Sequence, residues 1–233
     1  MIDALRGLSI ILMLAHHFGF ALLYAGFDIA FGLDVTVVLA SPIIGFLSPF
    51  FAGVFILLSG MSGRFSRSNV KRGILVLVCA ALLTAVGYFF GVAVWFGILH
   101  FLGLSMLVYG LLSRFLDKIP FNIAVVLWLG LFILGFITLP SKTADSNFLF
   151  WFGISSPDFS SGVDYFPFGK WFPMFMLGTH AGRLVKENKF PKWFYSFNVP
   201  FLPFVGRNTL VIYLIHQPFF YLLLTAYAAI VRS

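Results

Sequence analysis

Five histidines, His16, His17, His100, His180 and His216, lie within or against long apolar runs. An ionisable ring at membrane depth is costly and ordinarily faces a protein interior or a polar path, so these positions are where chemistry is first sought. Imidazole can take up a proton, return it or relay it near neutral pH. In the first run, Arg6 and His17 are eleven residues apart. At about 100° per residue, both fall on one helix face, about 16 Å apart along its axis. Asp3, one turn before Arg6, can pair with it. His16 is rotated about 100° away and faces elsewhere. Arg6 alone reads more readily as an orientation anchor. The aligned pair points to function.

In the last run, Gly206, Arg207 and Asn208 precede Tyr213, His216 and Pro218. Read as the opening of a helix, Gly206–Asn208 would offer free N–H groups and a helix dipole to a phosphate. His216 falls about 13 Å deeper, with Tyr213 one turn before it. Pro218 kinks the helix beside His216 by removing an N–H. The alternative is a polar kink that packs helices together. His100 lies between Gly97 and Gly103, which permit close helix approach. His180 reads as an interfacial histidine. Ser59 and Gly60 either allow tight packing or, with Arg64 and Arg72 of the following basic loop, form an anion pocket.

These residues need a bundle to hold them. The 233-residue chain is 61% hydrophobic and 10% charged, with a mean hydropathy of +1.01. That composition excludes soluble globular, disordered and disulfide-scaffold classes. Seven apolar stretches predict an all-α polytopic membrane bundle: about 5–26, 42–61, 73–91, 94–113, 121–139, 168–185 and 205–229. The first lacks a small-x-small cleavage site and is read as a retained helix rather than a signal peptide. A re-entrant element near 29–40 is weakly signalled. The whole of 1–233 reads as one membrane domain. A single cysteine, Cys79, leaves no disulfide framework and no thiolate metal site.

Twelve of the fifteen Lys and Arg residues fall at the ends of alternate spans: Arg6, Arg64, Arg67, Lys71, Arg72, Arg114, Lys118, Arg183, Lys186, Lys189, Lys192 and Arg207. The positive-inside rule makes that side, and the N-terminus, cytoplasmic and places the C-terminus outside. Short basic loops of this kind are orientation signals, so the net charge of +7 does not indicate nucleic acid. The opposite side carries Lys142, Lys170, Asp28, Asp34, Asp145, Asp158 and Asp164. It also holds the one long loop, Ser141–Lys170, whose Phe148, Phe150, Trp151 and Phe152 suit an interfacial belt or a lid over substrate.

No phosphate-binding Walker loop, HExxH, paired Cys or Gly-x-Ser-x-Gly is present. A histidine-rich interior without a mid-span carboxylate suits acyl transfer better than proton pumping. The ordered series Ile2-Asp3-Ala4-Leu5-Arg6-Gly7 with His17, Leu58-Ser59-Gly60 with Arg64, Gly97–His100, and Gly206–Asn208 through Ile212–Pro218 spans nearly the whole chain. It resembles the heparan-alpha-glucosaminide N-acetyltransferase catalytic-domain family in its small bacterial form. More distantly, it is similar to the acyltransferase-3 membrane O-acyltransferases, which share the Arg-then-His first helix. The resemblance implies transfer of an acetyl group from cytosolic acetyl-CoA to a sugar, glycan or lipid-linked acceptor, without a metal, in a bacterial inner membrane. It carries over to Asp3, Arg6, His17, Ser59, Gly60 and Arg64, and extends to His100, Asn208 and His216. The lysosomal enzyme resembled has a functional histidine before its second span. Here the segment Phe27–Ala40 has none, only Asp28 and Asp34.

The combined expectation is a membrane acyltransferase. Arg6, Arg64, Arg72 and Arg207 contact coenzyme A phosphates, aided by Ser59, Gly60 and Asn208. His17 or His216 is the base, His100 is a third candidate, and Asp3 and Tyr213 support. The competing readings are a small transporter or channel with a histidine-lined path, and a non-enzymatic membrane partner subunit.

Overall fold

The computed structural model describes residues 1–30, 32–139, 143–161, 164–196 and 199–231. Ser141, Lys142 and Ser233 lie outside them. The chain forms α1 (Ile2–Tyr24), β1 (Ile29–Ala30), β2 (Leu33–Asp34), α2 (Val35–Leu39), α3 (Pro42–Gly63), α4 (Asn69–Phe89), α5 (Ile98–Leu116), α6 (Phe121–Thr138), α7 (Phe168–Lys186), α8 (Lys192–Ser196), α9 (Leu202–Arg207) and α10 (Thr209–Val231). Six of these, α1, α3, α4, α5, α6 and α10, are long and apolar enough to cross a membrane. The protein is an all-α polytopic membrane protein.

The seventh expected span, α7, forms a 19-residue helix but is diluted by Lys170, His180, Arg183 and Lys186. Its low apolarity has a physical reason. Trp171, Phe175, Met176, Thr179, His180 and Val185 are all buried, so α7 meets protein where its neighbours meet lipid. The weak re-entrant signal near 29–40 resolves into the antiparallel β1–β2 pair and the short α2. Asp34 caps α2 by accepting from the Val37 amide at 3.1 Å.

The chain divides into two compact units, residues 1–55 with 192–233, and residues 56–191. In the first unit α1 and α9 cross with almost nothing between them. A Cβ on Gly7 would collide with the Leu202 carbonyl oxygen, and one on Gly206 with the Asp3 carbonyl oxygen. Such glycines let backbones approach without a hydrophobic driving force, which lipid does not supply. α1 and α10 run parallel. Arg6 meets Thr209, His17 meets His216, Phe18 meets Phe220 and Phe27 meets Tyr227. The seventh expected span, α7, is not among the helices apolar enough to cross a membrane.

The second unit repeats the small-residue device. Gly60 faces the Phe175 carbonyl, Gly178 faces the Leu57 carbonyl and Gly182 faces Met61, which brings α3 against α7. Gly73 and Gly103 do the same for α4 and α5. The ends of α3, α5 and α7 converge, so Arg64, Asp117 and Arg183 come together. At the other end of α5, Asp164 accepts from the Ile98 amide at 3.1 Å and Ser161 accepts from the Phe96 amide at 3.2 Å. The long loop is thereby tied to the start of α5. Phe150 packs on Phe96 and Phe159, while Phe148 stays exposed.

Candidate active site

The first unit gathers Asp3, Arg6, His17, Tyr213 and His216 along the α1–α10 contact. Arg6 Nη2 donates to Thr209 Oγ1 at 2.8 Å, and Nη1 lies 3.5 Å from Asp3. About three turns further along α1 and two along α10, His17 Nδ1 and His216 Nε2 are 2.8 Å apart, with ring centres 5.0 Å apart and planes inclined by 20°. Tyr213 and Phe220 flank the His216 ring.

The partners fix which nitrogen carries each proton. His216 Nδ1 faces the backbone carbonyl of Tyr213. A carbonyl only accepts, so His216 Nδ1 bears hydrogen. In a neutral ring Nε2 then holds the lone pair and accepts from His17 Nδ1–H. His17 Nε2 is left with its lone pair and no hydrogen-bond partner among the described residues. The chain of carbonyl, His216 and His17 thus orients one basic nitrogen, as a second-shell acceptor orients a catalytic imidazole. Among the described residues, His16 makes ring contacts alone, with His17 and Phe20.

The end of the last run differs from its sequence reading. Gly206 and Arg207 close α9 rather than opening a helix, because that helix already begins at Leu202, with Pro203 in its first turn. The Asn208 amide bonds to the Phe204 and Val205 carbonyls, so the expected free N–H cradle does not form there. Arg207 is exposed and donates through Nε to the Pro203 carbonyl at 3.2 Å, and Asn208 Nδ2 donates to the Phe204 carbonyl at 2.8 Å. Gly206 serves the close α1–α9 crossing instead.

The second unit holds Ser59, Gly60, Arg64, Arg72 and His100. Gly60 is taken up by the α3–α7 crossing, and Ser59 beside it is buried. Arg72 is partly buried on α4. His100 has both ring nitrogens committed. Thr84 gives its one hydroxyl proton to the Val94 carbonyl, so at 3.1 Å His100 Nε2–H donates to Thr84 Oγ1. His100 Nδ1 accepts from the Gly97 amide at 3.3 Å. That arrangement is a helix cap, with no lone pair left for a base. His180, expected at an interface, is buried, and its Nε2 has no hydrogen-bond partner among the described residues.

Arg64 is the best-developed cationic position of the second unit. Its Nη1 lies 2.6 Å from Asp117 Oδ2, its Nε donates to the Thr179 carbonyl at 2.9 Å, and its guanidinium lies over the Tyr109 ring. Arg64 lines a cavity of about 470 Å³ with Asn69, Tyr109, Asp117, Arg183 and Lys186. Asp117, Tyr109 and Arg183 were missed as site residues. The available signal was Asp117 itself, the lone acidic residue between Arg114 and Lys118 in a basic loop.

The all-α polytopic fold, with six helices able to cross a membrane and a pair of histidines in contact between α1 and α10, defines a membrane protein with polar groups set among apolar helices. Residues 1–218 match the heparan-alpha-glucosaminide N-acetyltransferase catalytic family, and the chain belongs to that family of acetyltransferases. No curated protein and no solved structure matches the chain.

Proposed function

We propose that this enzyme transfers an acetyl group from acetyl-CoA to a hydroxyl or amine of a sugar, glycan or lipid-linked acceptor at a bacterial inner membrane, with the His17–His216 pair as its acid–base centre. The observation that carries the reading is the 2.8 Å contact between the two rings in a chain of acetyltransferase family. His17 Nε2 takes the proton of the acceptor O–H or N–H as the oxygen or nitrogen attacks the thioester carbonyl. The C–S bond breaks, and the proton on His17 passes to the departing thiolate. The products are the acetylated acceptor and free coenzyme A, and His17 returns to its starting state. During the step His216 Nε2 accepts from the His17 Nδ1–H and stabilises the transient imidazolium.

The donor enters from the side marked by the basic loops, where Arg64 and Arg72 offer phosphate contacts. Arg6 is held by Asp3 and Thr209, which suits a role in fixing α1 against α10 beneath the histidines. The acceptor approaches from the opposite side. The test is full-length protein in lipid nanodiscs with labelled acetyl-CoA and a panel of amino sugars and lipid-linked sugars, read as thiol release and acetylated product. Acceptor-dependent thiol release is expected. Saturable movement of a solute across vesicles without coenzyme A binding would replace this reading with a transporter.

A further inference from the structure

The cavity at the joined ends of α3, α5 and α7 has features that packing alone does not require. Three basic side chains, Arg64, Arg183 and Lys186, line it against two carboxylates, Asp117 and Glu187. Asp117 is shared among several groups. Its Oδ2 holds Arg64 at 2.6 Å, its Oδ1 accepts from the Tyr109 hydroxyl at 3.2 Å, and its backbone carbonyl accepts from Arg183 at 3.3 Å. Arg64 Nη2 is buried and has no hydrogen-bond partner among the described residues. Of the three Arg64 nitrogens, Nε is held by the Thr179 carbonyl, Nη1 faces a carboxylate that is itself about one-third exposed, and Nη2 is unused.

A phosphate ester carries about −1.5 to −2 charge at pH 7 and offers three acceptor oxygens. A carboxylate offers one charge and two oxygens. Where Arg64, Arg183 and Lys186 converge, exchange of Asp117 for a phosphate strengthens the electrostatic match and supplies an acceptor for the unused guanidinium edge. The volume of about 470 Å³ lies within the range of small-ligand sites.

We propose that this cavity binds the phosphate groups of a nucleotide-like ligand, and that Asp117 is an internal stand-in that the phosphate displaces from Arg64. The inference rests on the acyl-CoA reading only for the identity of the ligand. In that reading the phosphates are those of coenzyme A, held by Arg64, Arg183 and Lys186 rather than by Arg6 or Arg207.

Calorimetry of the full-length protein in nanodiscs with coenzyme A, and separately with inorganic pyrophosphate, tests it. Asp117→Asn is expected to tighten both by about tenfold, because the competing charge is gone. The double substitution Arg183→Gln with Lys186→Gln is expected to weaken both by about tenfold or more and to flatten their salt dependence. The double substitution lies at the rim, so it keeps the test decisive should Asp117→Asn fail to fold. Coenzyme A binding that ignores both changes overturns the inference while leaving the acyltransferase reading standing. Pyrophosphate binding that follows both changes, without coenzyme A binding, supports the cavity and overturns that reading. Binding of neither ligand overturns the inference.

Discussion

The two units place polar groups in an apolar chain by opposite means. In the first, two imidazoles satisfy one another and a backbone carbonyl, so polarity is closed into a short directional chain ending at one nitrogen. In the second, guanidinium and carboxylate groups collect at one end of α3, α5 and α7, beside a cavity. Neutral hydrogen-bonded rings can be held at membrane depth at modest cost, whereas ions there cost far more and are confined to helix ends. On the proposed function, the difference separates two tasks: proton transfer in an apolar setting, and charge recognition at its edge.

The largest expected effect removes the terminal nitrogen of the histidine chain. His17→Asn retains a hydrogen-bonding side chain but has no base, and should slow acetyl transfer by about 10²–10⁴-fold with donor binding unchanged. His216→Gln can still accept from His17 Nδ1–H through its amide oxygen and should cost less, about tenfold in kcat, with a shifted pH profile. Equal losses in the two variants would make the pair a single structural unit. Full activity in both would move the chemistry out of the first unit.

Next comes the crossing that holds the chain in place. Gly206→Ala puts a Cβ onto the Asp3 carbonyl oxygen, which no side-chain rotation can relieve. Such overpacking typically costs about 1–3 kcal/mol, seen as a lowered thermal midpoint in detergent. Because α9 leads directly into α10, the same substitution should also reduce kcat by loosening His216 relative to His17. A lowered midpoint with unchanged kcat would show that the histidine contact is independent of the α1–α9 crossing.

Much of the first unit was legible because helical spacing is arithmetic. The alignment of Arg6 with His17, and the similar depth of His216, follow from residue counts. The convergence of His17 and His216 also follows, because burying either ring singly against lipid is costly; what could not be read was that the two rings touch directly. The direction of the pair was equally hidden, since the Tyr213 carbonyl that fixes it is a backbone atom with no sequence signature. Read as a helix opening, Gly206–Asn208 was misplaced because α9 begins earlier, at Leu202, and the close approach to Asp3 claims Gly206. In the second unit hydropathy identified the lipid-facing helices better than the inner one. α7 has the weakest signal because Lys170, Arg183 and Lys186 sit near its two ends, while Thr179 and His180 between them are covered by protein. Asp117 escaped notice since a lone carboxylate in a basic loop reads as a solvated residue until Arg64 arrives from another helix.

His100 offers a smaller test of the contrast between a reacting and a capping histidine. With Nδ1 on the Gly97 amide and Nε2–H on Thr84, it stabilises the start of α5. His100→Ala should lower stability by about 1 kcal/mol, in the range of lost helix caps, and leave the pH dependence of transfer unaltered. A pH profile that changed with His100 would place a reacting group in the second unit and dissolve the division of labour between the two.

The smallest effect is expected at the outer edge of the charged end. Lys189 and Arg183 hydrogen-bond to the Glu187 carboxylate and hold its pKa below the ordinary 4.5. A carboxyl whose pKa is lower folded than unfolded contributes stability that is fully present above the unfolded value. That contribution is lost as the pH falls through the lower folded value. The group is solvent-exposed, so water and salt screen the pair and little stability follows from it. Glu187→Gln should therefore leave the thermal midpoint at neutral pH within a degree or so of the parent protein, as exposed ion pairs generally do. Whatever small gap exists at neutral pH should close on acidification below 4.5 and shrink with added salt. A drop as large as that of Gly206→Ala would mean that the charged end carries the second unit's stability, as the glycine crossing carries the first's. The cavity would then be a structural ion network, and its carboxylates would not be free to yield to a phosphate.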